Sequence, residues 1–319
     1  MTLDRLRPAQ QPTFYFVGVT TGKSSINKVF PRWVERLGRE DVALKGIDLV
    51  QHDEPQKYRD VVSFIKDDPQ SLGGLVTTHK IDLLEAARDL FDGFDEYAEL
   101  IGEVSGIAKK EGKLWGYAKD PITSGLALEH FLPNDHWRRT GAHCCLLGAG
   151  GSSLALTTYL MKDRRSAERP EHIVVTNRSE KRLRNMEKIH EEINPGIRVS
   201  YHHCPHPEQN DDVVAALPEY SLVANATGLG KDAPGSPLTD NAVFPQNGIA
   251  WEFNYRGDLL FLEQARRQQK QQNLLVEDGW VYFVHGWTRV MEEVLQIEIP
   301  ESGPEFEELS RIAWEARQA

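Results

Sequence analysis

Apolar and polar positions along the chain predict short strands separated by amphipathic helices. Helix-like segments with apolar residues three or four positions apart, such as 58–68 and 304–318, alternate with apolar runs of strand length. Strands separated by helices of this length are typical of βαβ units with a parallel sheet. The pattern therefore predicts an α/β protein. The clearest strand-length runs are TFYFVGV (13–19), ALKGIDLV (43–50), GGLVTT (73–78), IRVSYHH (197–203), YSLVANATG (220–228) and GIAWEFNY (248–255).

The alternation falls into two series, which predicts two domains. The first series ends in SGIAKKEGKLWGYAKD (105–120), where two apolar runs flank a Lys-Glu-Gly turn typical of a hairpin. A length of 319 residues is sufficient for two domains. We predict an N-terminal, open, mostly parallel sheet domain over 1–125, completed by C-terminal helices from 282–319. A Rossmann-type domain would cover 126–281, with a cleft between the two domains.

Composition narrows the classes of partner. The net charge of −11 argues against nucleic acid or an anionic membrane, because binding phosphate groups requires a basic surface. No apolar run approaches the roughly 18–20 residues of a membrane span, and the N-terminus lacks a secretory signal pattern. Three cysteines without a C-x-x-C spacing suggest a cytoplasmic protein. The His202-His203-Cys204 cluster lacks a second ligand pair, which favours a solvated loop over a metal site.

The stretch CCLLGAGGSSLAL carries the strongest local motif. An apolar strand enters a glycine-rich turn, and a helix follows at once, which is the context of a dinucleotide-binding loop. Gly148 permits the turn, Gly150 lets the backbone approach a diphosphate, and the helix start attracts its charge. The third small position is Ser153 or Gly151, and a glycine turn without a ligand is the alternative. The candidate cofactor residues here are Gly148, Ala149, Gly150, Gly151 and Ser152.

The end of the next predicted strand, IVVTNRSEKR, indicates the type of dinucleotide. NAD-binding units place an acidic residue there to bind the ribose 2′-hydroxyl, but this chain has Asn177 and Arg178. An arginine with Ser179 nearby suits a 2′-phosphate, and Arg182 lies one helical turn further on. A basic first turn on a solvated helix is the alternative, but it does not explain the missing acid. The sequence therefore favours NADP over NAD.

A third polar strand end completes a resemblance to a known family. LVANATGLG (222–230) predicts that backbone groups around Thr227–Gly230 line the nicotinamide, although a plain loop is the alternative. Asn225, Ala226 and Thr227 join the candidate cofactor residues. LLGAGGSS, NRSEKR and NATGLG resemble, in the same order, the glycine loop, the Asn-Arg-Ser/Thr signature and the Asn-Ala-Thr-Ser motif of the shikimate dehydrogenase family. FVGVTTGKSS, GGLVTTHK, GEVSGIAKKEGKLWGYAKD and EFNYRGDLLFLEQA resemble further segments of that family, more loosely.

The resemblance implies a function and a set of site residues. It implies NADP-dependent hydride transfer between NADPH and a cyclic hydroxy or keto acid of the shikimate or quinate type, in a monomer or homodimer. Lys80 and Asp120 match the family's catalytic pair, in which a lysine near a carboxylate stabilises an oxyanion and moves a proton. Gly279 joins the cofactor residues. The residues implied in substrate binding are Lys23, Ser24, Ser25, Thr77, Ser105, Tyr255 and His285.

This chain departs from the family mainly at substrate contacts. Ser105 stands where the family has asparagine, Ala118-Lys119 where it has Asn-Thr, and His285 where it has glutamine. A site that hydrogen-bonds hydroxyl groups discriminates strongly, so such changes could redirect it to another polyol or keto substrate on the same fold. A non-catalytic NADP sensor is a further alternative, although a sensor needs neither Lys80 nor Asp120. Whether His79 or His285 takes part in proton transfer stays open.

Overall fold

The chain forms two compact units in a computed structural model that describes residues 6–162, 169–193, 196–230 and 233–318. The first unit comprises the chain up to Lys119 together with the residues from Val284 onward, and the second is Asp120–Phe283. The sequence placed these divisions after 125 and after 281. Asp120 was expected in the first domain but opens the second unit, because the helix that follows the hairpin begins at this residue.

The sheet of the first unit is mostly parallel, as predicted. Among the described residues its strand order is β2-β1-β3-β5-β6-β4. Only β5 runs antiparallel to its neighbours, since β5 and β6 form the predicted hairpin. Glu111 and Gly112 both have positive φ, at 51° and 76°, as a two-residue hairpin turn requires. The strands are β1 Thr13–Gly18, β2 Ala43–Asp48, β3 Ser71–Val76, β4 Gly93–Phe94, β5 Gly106–Lys110 and β6 Lys113–Tyr117.

Helices pack on this sheet through regularly spaced apolar residues. In the first helix Ile26, Val29, Phe30 and Trp33 are buried, which is the spacing of one helical face. The indole of Trp33 donates to the carbonyl of Leu309 at 2.8 Å and so ties the C-terminal helix to the first. The helices of this unit are α1 Ile26–Arg36, α2 Pro55–Asp67, α3 Lys80–Ala87, α4 Glu96–Ile101, the part of α11 (Trp280–Leu295) from Val284 onward, and α12 Pro304–Gln318.

The second unit is the predicted Rossmann-type domain. Its described strands form a sheet of order β12-β11-β10-β7-β8-β9 in which every pair is parallel. The order reverses between β7 and β10, and ligands of such sheets bind at the carboxyl ends of strands at this point. The strands are β7 Cys144–Leu147, β8 His172–Asn177, β9 Arg198–His203, β10 Leu222–Asn225, β11 Ile249–Glu252 and β12 Leu275–Glu277. The helices are α5 Asp120–Phe131, α6 His136–Thr140, α7 Gly151–Lys162, α8 Glu180–Ile193, α9 Pro207–Ala215 and α10 Leu260–Gln272.

Two classes of feature are not found within the described part of the chain. None of its helices is long and apolar enough to cross a membrane. No group of three or more His, Cys, Asp or Glu side chains there could hold a metal ion.

The cysteines are buried free thiols, and burial raises the pKa of Cys144 to about 12. Cys144 is therefore an apolar packing residue and not a nucleophile.

Candidate active site

The turn after β7 has the geometry of a dinucleotide-binding loop. Gly148 has a φ of +112°, and a Cβ there would lie 3.0 Å from Cγ2 of Thr227, so this position requires glycine. A Cβ on Gly150 would meet no heavy atom within 4 Å, so Gly150 faces open space. The hydroxyl of Ser153 donates to the carbonyl of Gly148 at 2.5 Å and closes the turn. Because α7 begins at Gly151, its first backbone N–H groups remain available to an anion.

Two guanidinium groups face the same cavity as this turn. Arg178 and Arg182 line it from the end of β8 and the first turn of α8, and both are exposed. Neither forms an ion pair with any carboxylate that the structure describes; the nearby Glu180 pairs instead with Arg184 at 2.7 Å. Guanidinium groups without a protein carboxylate are suited to bind a phosphate.

The cavity collects most, but not all, of the predicted cofactor residues. Its volume is about 490 Å³, in the range of small-molecule sites. The predicted residues that line it are Gly148, Ala149, Gly150, Asn177, Arg178, Arg182, Ala226 and Thr227. Gly151, Ser152, Ser179, Asn225 and Gly279 are not part of its lining. A Cβ on Gly279 would lie 2.1 Å from the carbonyl oxygen of Phe253, so glycine permits this close backbone approach, and a role of Gly279 in cofactor binding stays a prediction.

The segment after β9 also lines the cavity, which sequence reasoning missed. Cys204 and Asn210 are buried, and the residues Cys204–Pro207 and Asn210 form part of the wall. The sequence predicted a solvated loop here, but His202 and His203 are exposed residues of β9 and Cys204 is buried. The order of the strands could have indicated this segment, because β9 is parallel to β8 and ends at the same edge of the sheet.

A buried polar network shapes the loop after β10. The amide of Asn225 donates to Glu252 at 2.6 Å, and the oxygen of the same amide accepts from the backbone N–H and hydroxyl of Thr227, at 3.0 and 2.6 Å. Asn254 donates to the other oxygen of Glu252 from its backbone and its side chain, at 2.8 and 2.6 Å. Asn225 is therefore a positioning residue that presents Ala226 and Thr227 to the cavity.

In the first unit, most of the predicted substrate and catalytic residues follow strand ends at one edge of the sheet. β1 and β3 are parallel neighbours, and the backbone N–H of Thr77 donates to Val17 at 2.9 Å. The chain then turns through Thr78, with a φ of 58°, and α3 begins at Lys80. Because β5 is antiparallel to β3, its first residues lie at this edge, and Val76 donates to Ser105 at 2.9 Å.

The side chain of Lys80 lies next to a carboxylate that sequence reasoning did not single out. The Nζ of Lys80 is 3.8 Å from Oε1 of Glu103, and the side chain of Glu103 is only 5% exposed. Lys80 keeps 20% of its side chain exposed. The predicted catalytic lysine is therefore held beside a buried negative charge, which favours its ammonium form. The signal in the sequence was an acidic residue within the apolar stretch IGEVSGIA.

The hydroxyl of Ser105 is used by the backbone of the hairpin. Its Oγ donates to the carbonyl of Tyr117 at 3.4 Å and accepts from the N–H of Lys119 at 2.8 Å. The side chain of Lys119 pairs with Glu293 on α11 at 2.5 Å. Ser105 therefore contacts the end of the hairpin, and its role in substrate binding stays a prediction.

The three predicted substrate-binding residues in the loop after β1 differ in their exposure to solvent. Lys23 is exposed, while Ser24 and Ser25 are half-buried. The hydroxyl oxygen of Ser25 is buried and has no hydrogen-bond partner among the described residues. The loop is held by Thr21, whose N–H and hydroxyl both donate to Asp48 at 2.7 Å.

Both histidines that the sequence left open are packed inside the first unit. His79 is fully buried, its Nδ1 lies 3.3 Å from the hydroxyl of Tyr58, and burial lowers its pKa. His285 is 1% exposed and stacks on Phe306 with ring centroids 4.3 Å apart. Both contacts are those of core residues. In the second unit, the ring of Tyr255 packs against Phe283 at 4.5 Å.

Asp120 is the first residue of α5 and follows Lys119 directly. Its backbone carbonyl accepts from the hydroxyl of Thr123 at 3.2 Å, within the first turn of the helix. Asp120 and Lys80 belong to different units, so their catalytic pairing stays a prediction.

Comparison with known proteins gives sequence relatives and structural neighbours of one kind. No protein-family model matches the chain. It is 31% identical over 201 residues to a shikimate dehydrogenase (NADP(+)) of Methanothrix thermoacetophila, over 63% of this chain and 64% of the relative. The alignment thus spans less than two thirds of that curated relative.

Solved structures cover nearly the whole fold. The chain is similar to shikimate 5-dehydrogenase from Listeria monocytogenes in complex with shikimate and NAD, with a TM-score of 0.72 and 19% identity, over 96% of this chain and 98% of that chain. Quinate dehydrogenase from Corynebacterium glutamicum in complex with NAD gives a TM-score of 0.71 and 18% identity, over 96% and 99%. At these identities the likeness establishes the fold.

Proposed function

We propose that this chain, which is similar in sequence to a shikimate dehydrogenase (NADP(+)), is an NADP-dependent oxidoreductase that interconverts a cyclic hydroxy acid and its keto acid. The substrate class is that of shikimate or quinate. The observation that carries the proposal is the cavity of the second unit, where the turn of Gly148 and Gly150 meets Arg178 and Arg182. A diphosphate and an additional phosphate are the groups that this combination suits.

The residues of the cavity fit NADP better than NAD. The backbone around Gly150 has room for a diphosphate, and the N-terminus of α7 attracts its charge. Arg178 and Arg182 would bind the 2′-phosphate, since no described carboxylate neutralises them. The curated relative carries NADP(+) in its name, whereas the two solved neighbours contain NAD, so the proposed preference for NADP rests on this local charge. When bound, the cofactor supplies or accepts the hydride.

In the proposed reaction Lys80 handles the proton. As the carbonyl of the keto acid is reduced, its oxygen gains negative charge, and the ammonium of Lys80 stabilises this oxygen and transfers a proton to it. Oxidation of the alcohol runs in reverse: the neutral amine of Lys80 receives the proton and becomes the ammonium. Glu103 holds Lys80 in its charged form before the transfer. Asp120 is the proposed second carboxylate that orients the substrate hydroxyl.

The substrate-binding residues support a carboxylate-bearing ligand but also a change of specificity. The buried hydroxyl of Ser25, with Ser24 and Lys23 beside it, would bind the carboxylate. Ser105, however, donates to the hairpin backbone. This observation favours, as a second candidate, a dehydrogenase of the same fold for a different polyol or keto acid.

The test follows the absorbance of the reduced cofactor with purified protein. NADPH or NADH is supplied with 3-dehydroshikimate or 3-dehydroquinate, and NADP⁺ or NAD⁺ with shikimate or quinate. We expect turnover with NADPH that is lost in Lys80→Ala and retained in Lys28→Ala, an exposed lysine of α1. Turnover that survives Lys80→Ala contradicts the role of Lys80. Binding of NADPH without turnover of any of these substrates indicates the second candidate or a sensor.

A further inference from the structure

Asn210 lines the cofactor cavity, and its side chain carries a buried polar atom without a described hydrogen-bond partner. Asn210 lies in the first half of α9, is 8% exposed and forms part of the cavity wall. Its Nδ2 donates to the carbonyl of Pro237 at 2.8 Å. Its Oδ1 is buried and accepts no hydrogen bond from any residue that the structure describes.

The orientation of this amide follows from its neighbour. A backbone carbonyl can only accept, so the nitrogen of Asn210 must face Pro237 and the oxygen must take the other position. Buried polar atoms are nearly always paired, because an unpaired one keeps its desolvation cost. An acceptor of this kind in a cavity wall therefore indicates a ligand group that donates an N–H or O–H.

The position of Asn210, in the helix that follows β9, indicates which part of a dinucleotide it would contact. The turn after β7 suits the diphosphate, and Arg178 and Arg182 after β8 suit the phosphorylated ribose. Asn210 follows β9, the edge strand beyond β8, so it lies further along the same edge, on the side of the base. The wall around it includes the apolar rings of Pro205, Pro207 and Pro237, against which a purine can pack.

We propose that Asn210 selects adenine by accepting a hydrogen bond from its exocyclic amino group. The substituent at C6 of adenine donates a hydrogen bond, whereas the substituent at C6 of a 6-oxopurine is a carbonyl oxygen, which can only accept. The inference rests on the proposed function, since it requires that the cavity binds NADPH. It adds a base-specific contact that the glycine turn and the arginines do not supply.

Equilibrium binding tests the proposal without turnover. NADPH and its hypoxanthine analogue, in which an oxygen replaces the amine at C6, are titrated against the protein and followed by the fluorescence of the dihydronicotinamide. We expect wild type to bind the analogue about 10-fold more weakly, the effect of one hydrogen bond exchanged for facing acceptors. Asn210→Ala should weaken NADPH and bring the two affinities within about two-fold of each other. Glu208→Gln, an exposed position on the same helix, should retain the wild-type preference.

The outcomes separate this inference from the proposed function. Equal affinity of wild type for the two nucleotides overturns the role of Asn210 and leaves NADP binding intact. Equal weakening of both nucleotides by Asn210→Ala also overturns it, since Oδ1 would then contact a group that the two ligands share. Failure of wild type to bind either nucleotide overturns the proposed function itself. The wild-type comparison decides the matter even where a variant does not fold.

Discussion

The ammonium of Lys80 lies 3.8 Å from the buried carboxylate of Glu103. Two opposite charges at about this separation attract by about 4 kcal/mol at an effective dielectric constant of 20. In the Gly-Ala-x-Asn-Thr motif that the segment from Gly102 resembles, an alanine stands at the position of Glu103. This chain therefore places a negative charge beside its predicted catalytic lysine where alanine would place none.

Removing Lys80 should destabilise the protein as well as affect catalysis. Lys80→Ala leaves the buried carboxylate of Glu103 with one charged partner fewer, which should lower the free energy of unfolding by about 1–3 kcal/mol. Adding Glu103→Gln should recover most of that loss, because a neutral amide costs less to bury than a carboxylate. Urea denaturation of wild type, both single variants and the double variant gives the coupling between the two residues.

The exposed Lys28→Ala serves as the control for this cycle and should leave the free energy of unfolding unchanged within about 0.5 kcal/mol. A coupling energy near zero would show that the carboxylate does not sense the ammonium in solution. Activity of Lys80→Ala is then to be assayed at a temperature where denaturation data show the variant to be folded.

Alanine substitution should affect stability at one glycine of the nucleotide turn and nucleotide binding at the other. Gly148→Ala places a Cβ 3.0 Å from Thr227 at a φ of +112°, so it should lower the free energy of unfolding by about 1–3 kcal/mol. Gly150→Ala has room for its Cβ and should leave stability unchanged, but its methyl group occupies the side from which a diphosphate approaches. Thermal denaturation and NADPH titration, performed on both variants, measure the two effects. Equal loss of stability in both would contradict the assignment of Gly150 to the ligand side.

Arg178 should determine the preference for a phosphorylated ribose. Arg178→Ser removes a guanidinium that faces the cavity without a described protein carboxylate, so NADPH should bind roughly 10-fold or more weakly while NADH changes little. Titration of both nucleotides measures the ratio. Arg184→Ala is the matched control, since Arg184 lies on the same helix but pairs with Glu180. A similar effect of Arg178→Ser on both nucleotides would assign Arg178 to a part of the ligand other than the 2′-phosphate.

The fold and the cofactor loop could be predicted because their determinants are local. The turn at Gly148 requires a backbone conformation that glycine adopts, an apolar strand precedes it and a helix follows it at once, so a short window contains the whole signal. The hairpin at Glu111–Gly112 is of the same kind. Parallel order in the second sheet follows from the alternation of strands and helices, which also spans short windows.

The residues that sequence reasoning missed depend on contacts between distant segments. Glu103 gains its significance only because the edge of the sheet brings it to Lys80, and Asn210 only because α9 turns it toward the loop of Pro237. Ser105 was expected to bind substrate, but its hydroxyl meets the backbone of the opposite hairpin strand, at Tyr117. No short stretch of the sequence contains such a residue together with the partners that define its role.

A buried histidine should make the stability of the second unit depend on pH. Nδ1 of His190 lies 2.6 Å from the hydroxyl of Tyr201, and Nε2 lies 2.8 Å from that of Thr157. Because the Thr157 hydroxyl donates to the carbonyl of Ser153, Nε2 donates to Thr157, and in the neutral ring Nδ1 accepts from Tyr201. Burial lowers its pKa from 6.5 to about 4. The unfolded chain therefore binds a proton more readily than the folded one, so this contribution is complete above pH 6.5 and is lost as the pH falls toward 4.

Between pH 7 and pH 5 the loss attributable to His190 should be about 2 kcal/mol of the free energy of unfolding. His190→Gln keeps one donor and one acceptor but cannot be protonated, so it should reduce the difference in stability between the two pH values by about that amount. His202→Gln, at an exposed position of β9, should retain the wild-type difference. Urea denaturation at both pH values checks these expectations. His172, whose pKa burial also lowers to about 4, accounts for part of the difference that remains in His190→Gln. An unchanged pH dependence in that variant would show that the folded protein accommodates the charged ring of His190.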